Sequence, residues 1–324
     1  MIRLADPDVV VLNEFDHDAS GAALDAFAER LGYPYRLALP SNTGVPSGRD
    51  LDGDGRSDHS PGSREYGADA LGYGTHPGQY AIAVMSRLPL DEAGVRTWRE
   101  LRWRDVPDGR LPRDHYGDAA GVLRLSSKTH AVVPVRTGRG TLNLVLAHPT
   151  PPGFDGPEDR NGRRNHDEVR LLRDLVDPSR GGYLVDDAGR PGGLAGGASF
   201  VIAGDLNADP EDGDARAGIR DLLASPLVQD PAPRSAGAVE AATRQGGANA
   251  NQSGDPALDT ADFSDGEVGN LRVDYVLPSA DLTVAGSGVF WPAEGEPGYD
   301  LVGPGYPAVS SDHRLVWVDI DLAQ

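Results

Sequence analysis

The sequence predicts an α+β fold in which short buried strands are layered against a small number of helices. Short apolar runs rich in Val, Ile and Leu recur along the chain, separated by turns rich in Gly, Pro, Asp and Asn, as in a β-rich layered domain. Two longer segments instead repeat apolar residues every three or four positions, as amphipathic helices do. We see no internal repeat and no linker between two cores, so we expect one domain over residues 1–324.

Seven short apolar runs are predicted to be strands. The first covers Val9 to Asn13, with Pro7 before it and the polar Glu14 after it. This run is too short for a helix, and its β-branched side chains favour a buried strand. The other six runs lie at about 81–86, 130–135, 142–147, 199–203, 271–277 and 314–320.

Two helices are predicted from their apolar spacing and their end signals. Ser20 is placed to cap a first helix that ends near Leu31. A second helix is expected over 164–176, where Asn165 and Glu168 have the spacing of a capping box.

A shorter helix is expected near 215–224. Three turn-rich stretches, at about 40–78, 92–121 and 229–269, are expected to be long loop insertions in the single domain. Loops of this length inside a compact domain are usually functional or partly disordered.

The charge of the chain restricts its partners. Fifty acidic and 30 basic residues give a formal net charge of −20 at pH 7, and Lys128 is the single lysine. Nonspecific binding to nucleic acid needs Lys and Arg side chains that displace counterions from several phosphates. The acidic excess therefore argues against nucleic acid as the main partner.

Composition also excludes several kinds of site. The chain has no Cys, which excludes disulfide bonds, thiolate nucleophiles and Cys-based metal sites. No apolar run has the length of a membrane span, so we expect no membrane partner. The first residues lack the apolar region and small-residue cleavage site of a signal peptide, so the chain itself leaves its compartment unknown.

Five short motifs place polar side chains at strand ends. A single Asp after a Gly more often serves a turn, but the five together offer carboxylates as hard oxygen ligands for Mg²⁺ and imidazoles for proton transfer or charge stabilisation. That combination is typical of phosphoester hydrolysis. The motifs are Leu12-Asn13-Glu14, Ala147-His148-Pro149, Gly204-Asp205-Leu206-Asn207, Val273-Asp274-Tyr275 and Ser311-Asp312-His313.

In this order the motifs resemble those of the endonuclease/exonuclease/phosphatase superfamily, over residues 6–320. The resemblance is closest to a group of uncharacterised bacterial members, through the stretches at 78–90, 148–168, 200–210 and 310–317. It implies a four-layer α/β/β/α sandwich of the DNase I-like type. It also implies a metal-dependent phosphoric ester hydrolase that uses Mg²⁺ or Mn²⁺, with Ca²⁺ as an alternative, and it favours a secreted or extracellular location.

The resemblance also implies a role for each motif residue. Glu14 matches the metal-binding glutamate, and Asp312 is similar to a second carboxylate on the metal side. The catalytic matches are Asp205 for orienting or deprotonating water, Asn207 for holding the phosphate or the water, His313 for contacting the scissile phosphoryl group, Asp274 for orienting that imidazole and His148 for the other catalytic histidine.

The sequence departs from the family pattern at its beginning. Family members usually start with a strand that ends in an Asn ligand, well before the Asn-Glu motif, whereas Met1 lies only thirteen residues before Glu14. We therefore expect the first family strand to be lacking, which would remove one ligand and leave an unpaired strand edge beside Val9. Three explanations are open: a truncated chain, substitution by another segment or chain, or impaired activity.

A second group of acidic residues suggests a structural ion. Asp50, Asp52, Asp54 and Asp58 occupy positions 1, 3, 5 and 9 of an EF-hand-type calcium loop. Position 12 is Pro61 instead of the bidentate Glu. A structural Ca²⁺ and a plain solvated turn are equally compatible with this pattern.

Basic residues near the second predicted helix are candidates for binding a substrate phosphate. Arg164 and His166, together with Asn207, are the predicted substrate-binding residues, because a helix N-terminus already favours an anion. Ion pairs with the acidic residues at 155–159 are an equally good explanation for the basic ones. Lys128 stands at a strand entrance and is a further candidate for anion binding.

The leading hypothesis is therefore a divalent-metal-dependent phosphatase or phosphodiesterase. We expect a monomer that acts on a small or exposed phosphoester, by in-line attack of water assisted by the metal and histidines. The first alternative is an endonuclease or exonuclease on DNA or RNA. The second is a catalytically impaired family member that acts as a binding module.

Overall fold

Two facing β-sheets form the centre of the molecule. The computed structural model describes residues 1–303 and 308–322. Its helices are α1 (Ile2–Ala5), α2 (Ala22–Leu31), α3 (Arg64–Ala68), α4 (Arg113–Tyr116), α5 (Arg160–Val176), α6 (Arg216–Leu223) and α7 (Ala236–Gln245). Its strands are β1 (Val9–Leu12), β2 (Tyr35–Leu39), β3 (Ile82–Ser86), β4 (Arg96–Thr97), β5 (His130–Thr137), β6 (Gly140–Ala147), β7 (Phe200–Asp205), β8 (Ala261–Asp262), β9 (Asn270–Leu271), β10 (Asp274–Pro278), β11 (Thr283–Phe290) and β12 (Leu315–Asp321).

The sheet order brings the ends of several strands to one edge. One sheet has the order β1-β3-β2, and the larger one has the order β10-β7-β6-β5-β4. Strands β6 and β7 are parallel, whereas β5 and β10 run antiparallel to them. The ends of β6 and β7 and the starts of β5 and β10 therefore lie together. Two-stranded sheets, β11-β12 and β8-β9, complete the described strands.

The apolar residues divide among four layers. Residues of β3, β5, β6 and β7 that face inward form a core between the two sheets, with Ile82 and Val133 among them. The other face of the large sheet packs against α5 and α6 through residues such as Leu172 and Ile202. The outer face of the small sheet packs against α2, and Met85 and Leu24 belong to the same buried apolar cluster there. Helix, sheet, sheet and helix thus follow one another.

All seven predicted strands are present, one of them divided into two. The run expected at 271–277 is divided, because the backbone N–H of Arg272 donates to Asp209 and that of Val273 donates to Thr260. Among the strands of five residues or more, β2 and β11 were not predicted. β2 begins with two exposed residues, and β11 contains Gly and Ser and is only partly buried, so neither has the continuous apolar run of a buried strand.

The two longer predicted helices begin elsewhere than expected. At α2, Asp18 and not Ser20 is the main acceptor for the first N–H groups, because its carboxylate accepts from Ala22 and Ala23. Helix α5 starts at Arg160, so the capping box expected at Asn165 is wrong. Helix α6 confirms the short helix expected near 215–224.

The three predicted loop insertions contain regular structure. The segment at 40–78 includes α3, the segment at 92–121 includes β4 and α4, and the segment at 229–269 includes the ten-residue helix α7. Ser235 caps the N-terminus of α7, because its side chain accepts from the backbone N–H of Ala238. Its apolar residues pack against Trp291 and β11. None of the described helices has both the length and the apolar character needed to cross a membrane.

Candidate active site

Strands β7 and β10 place two carboxylates side by side. In their antiparallel register Asp205 lies directly opposite Asp274, so both side chains project from the same face. Asp205 ends β7 and Asp274 begins β10, which puts the pair at the sheet edge where β6 also ends. Gly204 is required there, because a Cβ at this position would lie 2.0 Å from the carbonyl oxygen of Ala147.

His313 completes a group of three with these carboxylates. Its Nδ1 lies 2.9 Å from Oδ2 of Asp274, and its Nε2 lies 3.9 Å from Oδ2 of Asp205. The hydroxyl of Thr260 also donates to Oδ2 of Asp274 at 2.8 Å. Phe263 packs edge-on against the imidazole, with 5.4 Å between ring centroids. Asp274 therefore fixes the orientation of the His313 ring.

A second imidazole reaches Asp205 from the neighbouring strand. His148 directly follows β6 and is buried, and its Nε2 lies 3.3 Å from Oδ2 of Asp205. Its Nδ1 is also buried and has no hydrogen-bond partner. The carboxylate of Asp205 thus lies between two imidazoles, the buried ring of His148 and the partly exposed ring of His313.

Asn207 is held in the turn that follows β7. Its backbone N–H donates to Oδ1 of Asp205 at 2.8 Å, and its Nδ2 lies 3.2 Å from Oδ2 of the same residue and 3.1 Å from the carbonyl oxygen of Pro149. The backbone of Asn207 has a left-handed φ of 48°, which Asn tolerates better than most residues.

The two carboxylates have pKa values displaced in opposite directions. Burial favours the neutral form of Asp205, but the hydrogen bond with His148 and the charge of His313 outweigh it and hold its pKa below the usual value. Burial raises the pKa of Asp274, although His313 opposes the shift. Burial alone would lower the pKa of His313, but Asp274 and then Asp205 raise it to about 10. At neutral pH, Asp205 is ionised and His313 is protonated.

Lys128 belongs to the same site. Its Nζ donates to the carbonyl oxygen of Pro149, which also accepts from Asn207. The side chain is buried, and burial lowers its pKa, while Glu168, Asp205 and Glu14 act in the opposite direction. The charges of Glu14 and Asp205 are therefore both felt at this ammonium group.

The two predicted metal ligands lie outside the closest group. Ligand atoms of Asp205, Asp274 and His313 lie within 4.8 Å of one another. Glu14 follows β1 in a left-handed conformation and is exposed. Asp312 is also exposed, and its charge contributes to the raised pKa of His313. Beside Glu14, the side-chain oxygen of Asn13 is buried and has no hydrogen-bond partner.

A comparison with known protein families shows which family this chain belongs to. The model of the Endonuclease/Exonuclease/phosphatase family matches residues 1–313. The chain belongs to this family. No curated protein matches the chain.

Solved structures support the fold of this family member. An endonuclease/exonuclease/phosphatase from Beutenbergia cavernae DSM 12333 superposes with a TM-score of 0.55 at 20% identity, covering 98% of this chain and 64% of that one. A family protein from Leptotrichia buccalis C-1013-b gives 0.50 at 13% identity, covering 99% and 90%. The chain thus spans less than two thirds of the first of these. Together with the four layers, these matches confirm the α+β sandwich of the DNase I-like type.

In this family member, helix α5 supports the site from behind. Glu168 accepts from the backbone N–H groups of Ser127 and Thr150 at 2.6 Å each, and Asn165 donates to the carbonyl oxygens of Thr150, Leu206 and Asn207. These contacts brace the turns that carry Lys128, His148 and Asn207.

Arg164 is not placed to bind a substrate phosphate, whereas substrate binding by His166 stays a prediction. The buried guanidinium of Arg164 donates to the backbone carbonyl groups of Leu71, Arg124 and Leu125, which uses its donors inside the protein. The Nδ1 atom of His166 lies 3.1 Å from Asp167 on the same helix. The spacing of basic residues along α5 did not reveal which of them turn inward.

The loop at 50–58 does not bring together the four aspartates that the EF-hand pattern predicted as ligands. Asp50 and Asp52 do approach each other, but their neighbour is the buried Asp69. Asp58 has a side chain that is 81% exposed and pairs with Arg56, and Asp54 lies 2.9 Å from Nε2 of His59. Asp69 directly follows the short helix α3, and the chain there returns to the loop and brings Asp69 to Asp50 and Asp52.

Proposed function

We propose that this chain is a divalent-metal-dependent phosphoester hydrolase that acts on a small or exposed phosphomonoester or phosphodiester. The observation that carries the proposal is the position of Asp205 between two imidazoles, 3.3 Å from His148 and 3.9 Å from His313. An ionised carboxylate and a protonated imidazole stand side by side at one strand edge. Membership of a family of endonucleases, exonucleases and phosphatases supports the same chemistry.

The two groups have complementary tasks in ester hydrolysis. Water forms a bond to phosphorus while the bond to the ester oxygen breaks, and the water gives up a proton as the leaving oxygen takes one. The lowered pKa keeps Asp205 ionised at neutral pH, so its carboxylate is suited to orient the water by accepting a hydrogen bond and is the group placed to receive its proton. His313, charged at neutral pH, is suited to stabilise negative charge that develops on the phosphoryl oxygens.

The residues present fit a divalent ion with hard oxygen ligands. Glu14 offers a carboxylate, and the buried side-chain oxygen of Asn13 beside it lacks a partner. We propose Glu14 as a ligand of Mg²⁺ or Mn²⁺, with Asp312 as the second carboxylate on that side and Ca²⁺ as an alternative ion. The bound ion would offset negative charge on the substrate.

The arginines near the site favour a small substrate over duplex DNA. Arg164, Arg272 and Arg314 are all buried, and their guanidinium groups bond to backbone carbonyls or to carboxylates inside the protein. They are not available to neutralise a row of phosphates on a nucleic acid. The net charge of −20 points the same way.

Turnover of simple phosphoesters tests the proposal. We expect hydrolysis of bis-p-nitrophenyl phosphate or p-nitrophenyl phosphate in the presence of Mg²⁺ or Mn²⁺. Asp205→Asn and His313→Gln should each lower kcat by about 10²–10⁴, the usual range for a general base or an electrostatic stabiliser. A phosphotriester and plasmid DNA, assayed in parallel, define the substrate class.

Asp221→Asn is a matched control, because it also removes one carboxylate but from an exposed position on α6. Its kcat should equal that of the unmodified protein. Cleavage of DNA alone would establish a nuclease instead. No turnover of any substrate by a folded protein would leave only a binding function and refute the proposal.

A further inference from the structure

We propose a second cation site, formed by Asp50, Asp52 and Asp69, that binds Ca²⁺ and fastens the loop between β2 and β3. It is separate from the group around Asp205 and does not depend on the proposed hydrolase function. The ligand is a divalent cation that prefers carboxylate and carbonyl oxygens, as Ca²⁺ does.

Three carboxylates meet at this site. One oxygen from each of Asp50, Asp52 and Asp69 lies within 4.8 Å of the others. Among the described residues, no Arg or Lys forms an ion pair with any of the three. The other titratable groups facing them are His59, whose Nε2 lies 3.9 Å from Asp69, and Asp54, which that imidazole approaches at 2.9 Å.

The buried carboxylate of Asp69 points to a ligand. Its side chain is only 8% exposed. Its Oδ1 accepts from the backbone N–H of Leu51 at 2.6 Å, whereas its Oδ2 is buried and has no hydrogen-bond partner. Leaving a buried carboxylate oxygen without a partner costs free energy. An ion held between the three aspartates would supply that partner and offset their mutual repulsion.

The loop holds the other two carboxylates in place. The two oxygens of Asp50 accept from the backbone N–H groups of Gly53 and Gly55, at 2.7 and 2.8 Å. Asp52 accepts from the N–H of Asp54 at 3.1 Å and is exposed. Each of these oxygens keeps a free lone pair for an ion, since a carboxylate oxygen can accept more than one contact.

The position of the site suggests what the ion does. The bridge between Pro46 and Ala70 closes the loop, and beyond it Gly72 packs against the backbone of Ser127, next to Lys128. Joining Asp50 and Asp52 to Asp69 ties the tip of the loop to this closed base. The ion would therefore stabilise a segment that abuts the candidate active site.

Calcium binding by the full-length protein tests this inference. After dialysis against a chelator, we expect Ca²⁺ to raise the melting temperature, and calorimetric titration to show a Ca²⁺ site that Asp69→Asn and Asp52→Asn weaken at least tenfold. Asp58→Asn, in the same loop but outside the cluster, is the matched control and should bind like the unmodified protein. Mg²⁺ should give a smaller increase in melting temperature.

Asp52 is exposed, so Asp52→Asn keeps the test valid if Asp69→Asn fails to fold. Equal Ca²⁺ isotherms for Asp52→Asn and the unmodified protein would overturn the inference. Loss of Ca²⁺ binding in Asp58→Asn would also overturn it, and would support the EF-hand ligand set that includes Asp58. If Asp52→Asn lost as much of the melting-temperature increase given by Mg²⁺ as of that given by Ca²⁺, the assignment of calcium to this site would be overturned.

Discussion

Asp205 and Asp274 are direct neighbours across two strands, yet their environments separate their pKa values. Asp205 faces two imidazoles and has a lowered pKa, whereas burial raises that of Asp274. When the environments of two titratable groups push their pKa values apart, one group commonly acts as the acid and the other as the base. Here Asp274 acts through His313, because it is the largest contributor to raising the pKa of that imidazole to about 10.

Replacing Asp274 should therefore change the pH dependence. Asp274→Asn removes the strongest cause that keeps His313 protonated, so the ring should titrate at a lower pH. We expect the alkaline limb of kcat to move to lower pH, and an NMR titration of the His313 ring to move with it. An alkaline limb at its original pH would show that another group controls it.

The same change has a defined sign for stability. The pKa of His313 is higher in the folded protein, about 10, than its ordinary value of 6.5. The stabilisation from its charged form is thus complete below about pH 6.5 and is lost as the pH rises through 10. Asp274→Asn should lower the melting temperature more at pH 6 than above pH 10.

At the scale of elements, helix α5 determines how accurately the site is built. Glu168 contacts the turns on both sides of the site, at Ser127 and Thr150. Its carboxylate accepts hydrogen bonds from both backbone N–H groups and from the Ser127 hydroxyl. Glu168→Gln places an amide NH₂ against one of these donors. We expect a lower melting temperature and a reduced kcat, because Lys128 and His148 lose their support.

Asp174→Asn is a suitable comparison on the same helix. Asp174 is equally buried, and burial raises its pKa, but it accepts from Tyr183 instead of a turn of the site. This variant should change the melting temperature and leave kcat intact. If both variants reduce kcat equally, loss of general stability and not support of the site explains the effect.

The elements also show which features could be predicted from the sequence. Strands such as β6 and β7 are largely buried and appear as nearly continuous apolar runs. The positions of His148 and Asp205 at their ends could therefore be predicted. Strand β11 has one exposed side and no such run. Thr260 and Asp69 reach their sites from separate loops, so only the folded chain brings them there. The direction of Arg164 depends on carbonyl groups far away in sequence.

At the scale of the whole molecule, the four layers gather strand ends from one sheet at a single edge. Lys128, His148, Asp205 and Asp274 adjoin β5, β6, β7 and β10 at that edge. The chain as a whole is strongly acidic, with 50 acidic residues against 30 basic ones. The site thus offers the charged imidazole of His313 within a protein whose overall charge is strongly negative.

This contrast predicts how salt affects the reaction. An anionic substrate is repelled by the net charge of −20, and salt screens this repulsion over a Debye length of about 8 Å at physiological ionic strength. We expect kcat/KM for bis-p-nitrophenyl phosphate to rise modestly between low and physiological NaCl concentrations. We also expect no retention of duplex DNA in a mobility-shift assay at either concentration. A protein that binds DNA through a basic groove loses affinity steeply with salt, so tight DNA binding that falls in this way would contradict the small-substrate proposal.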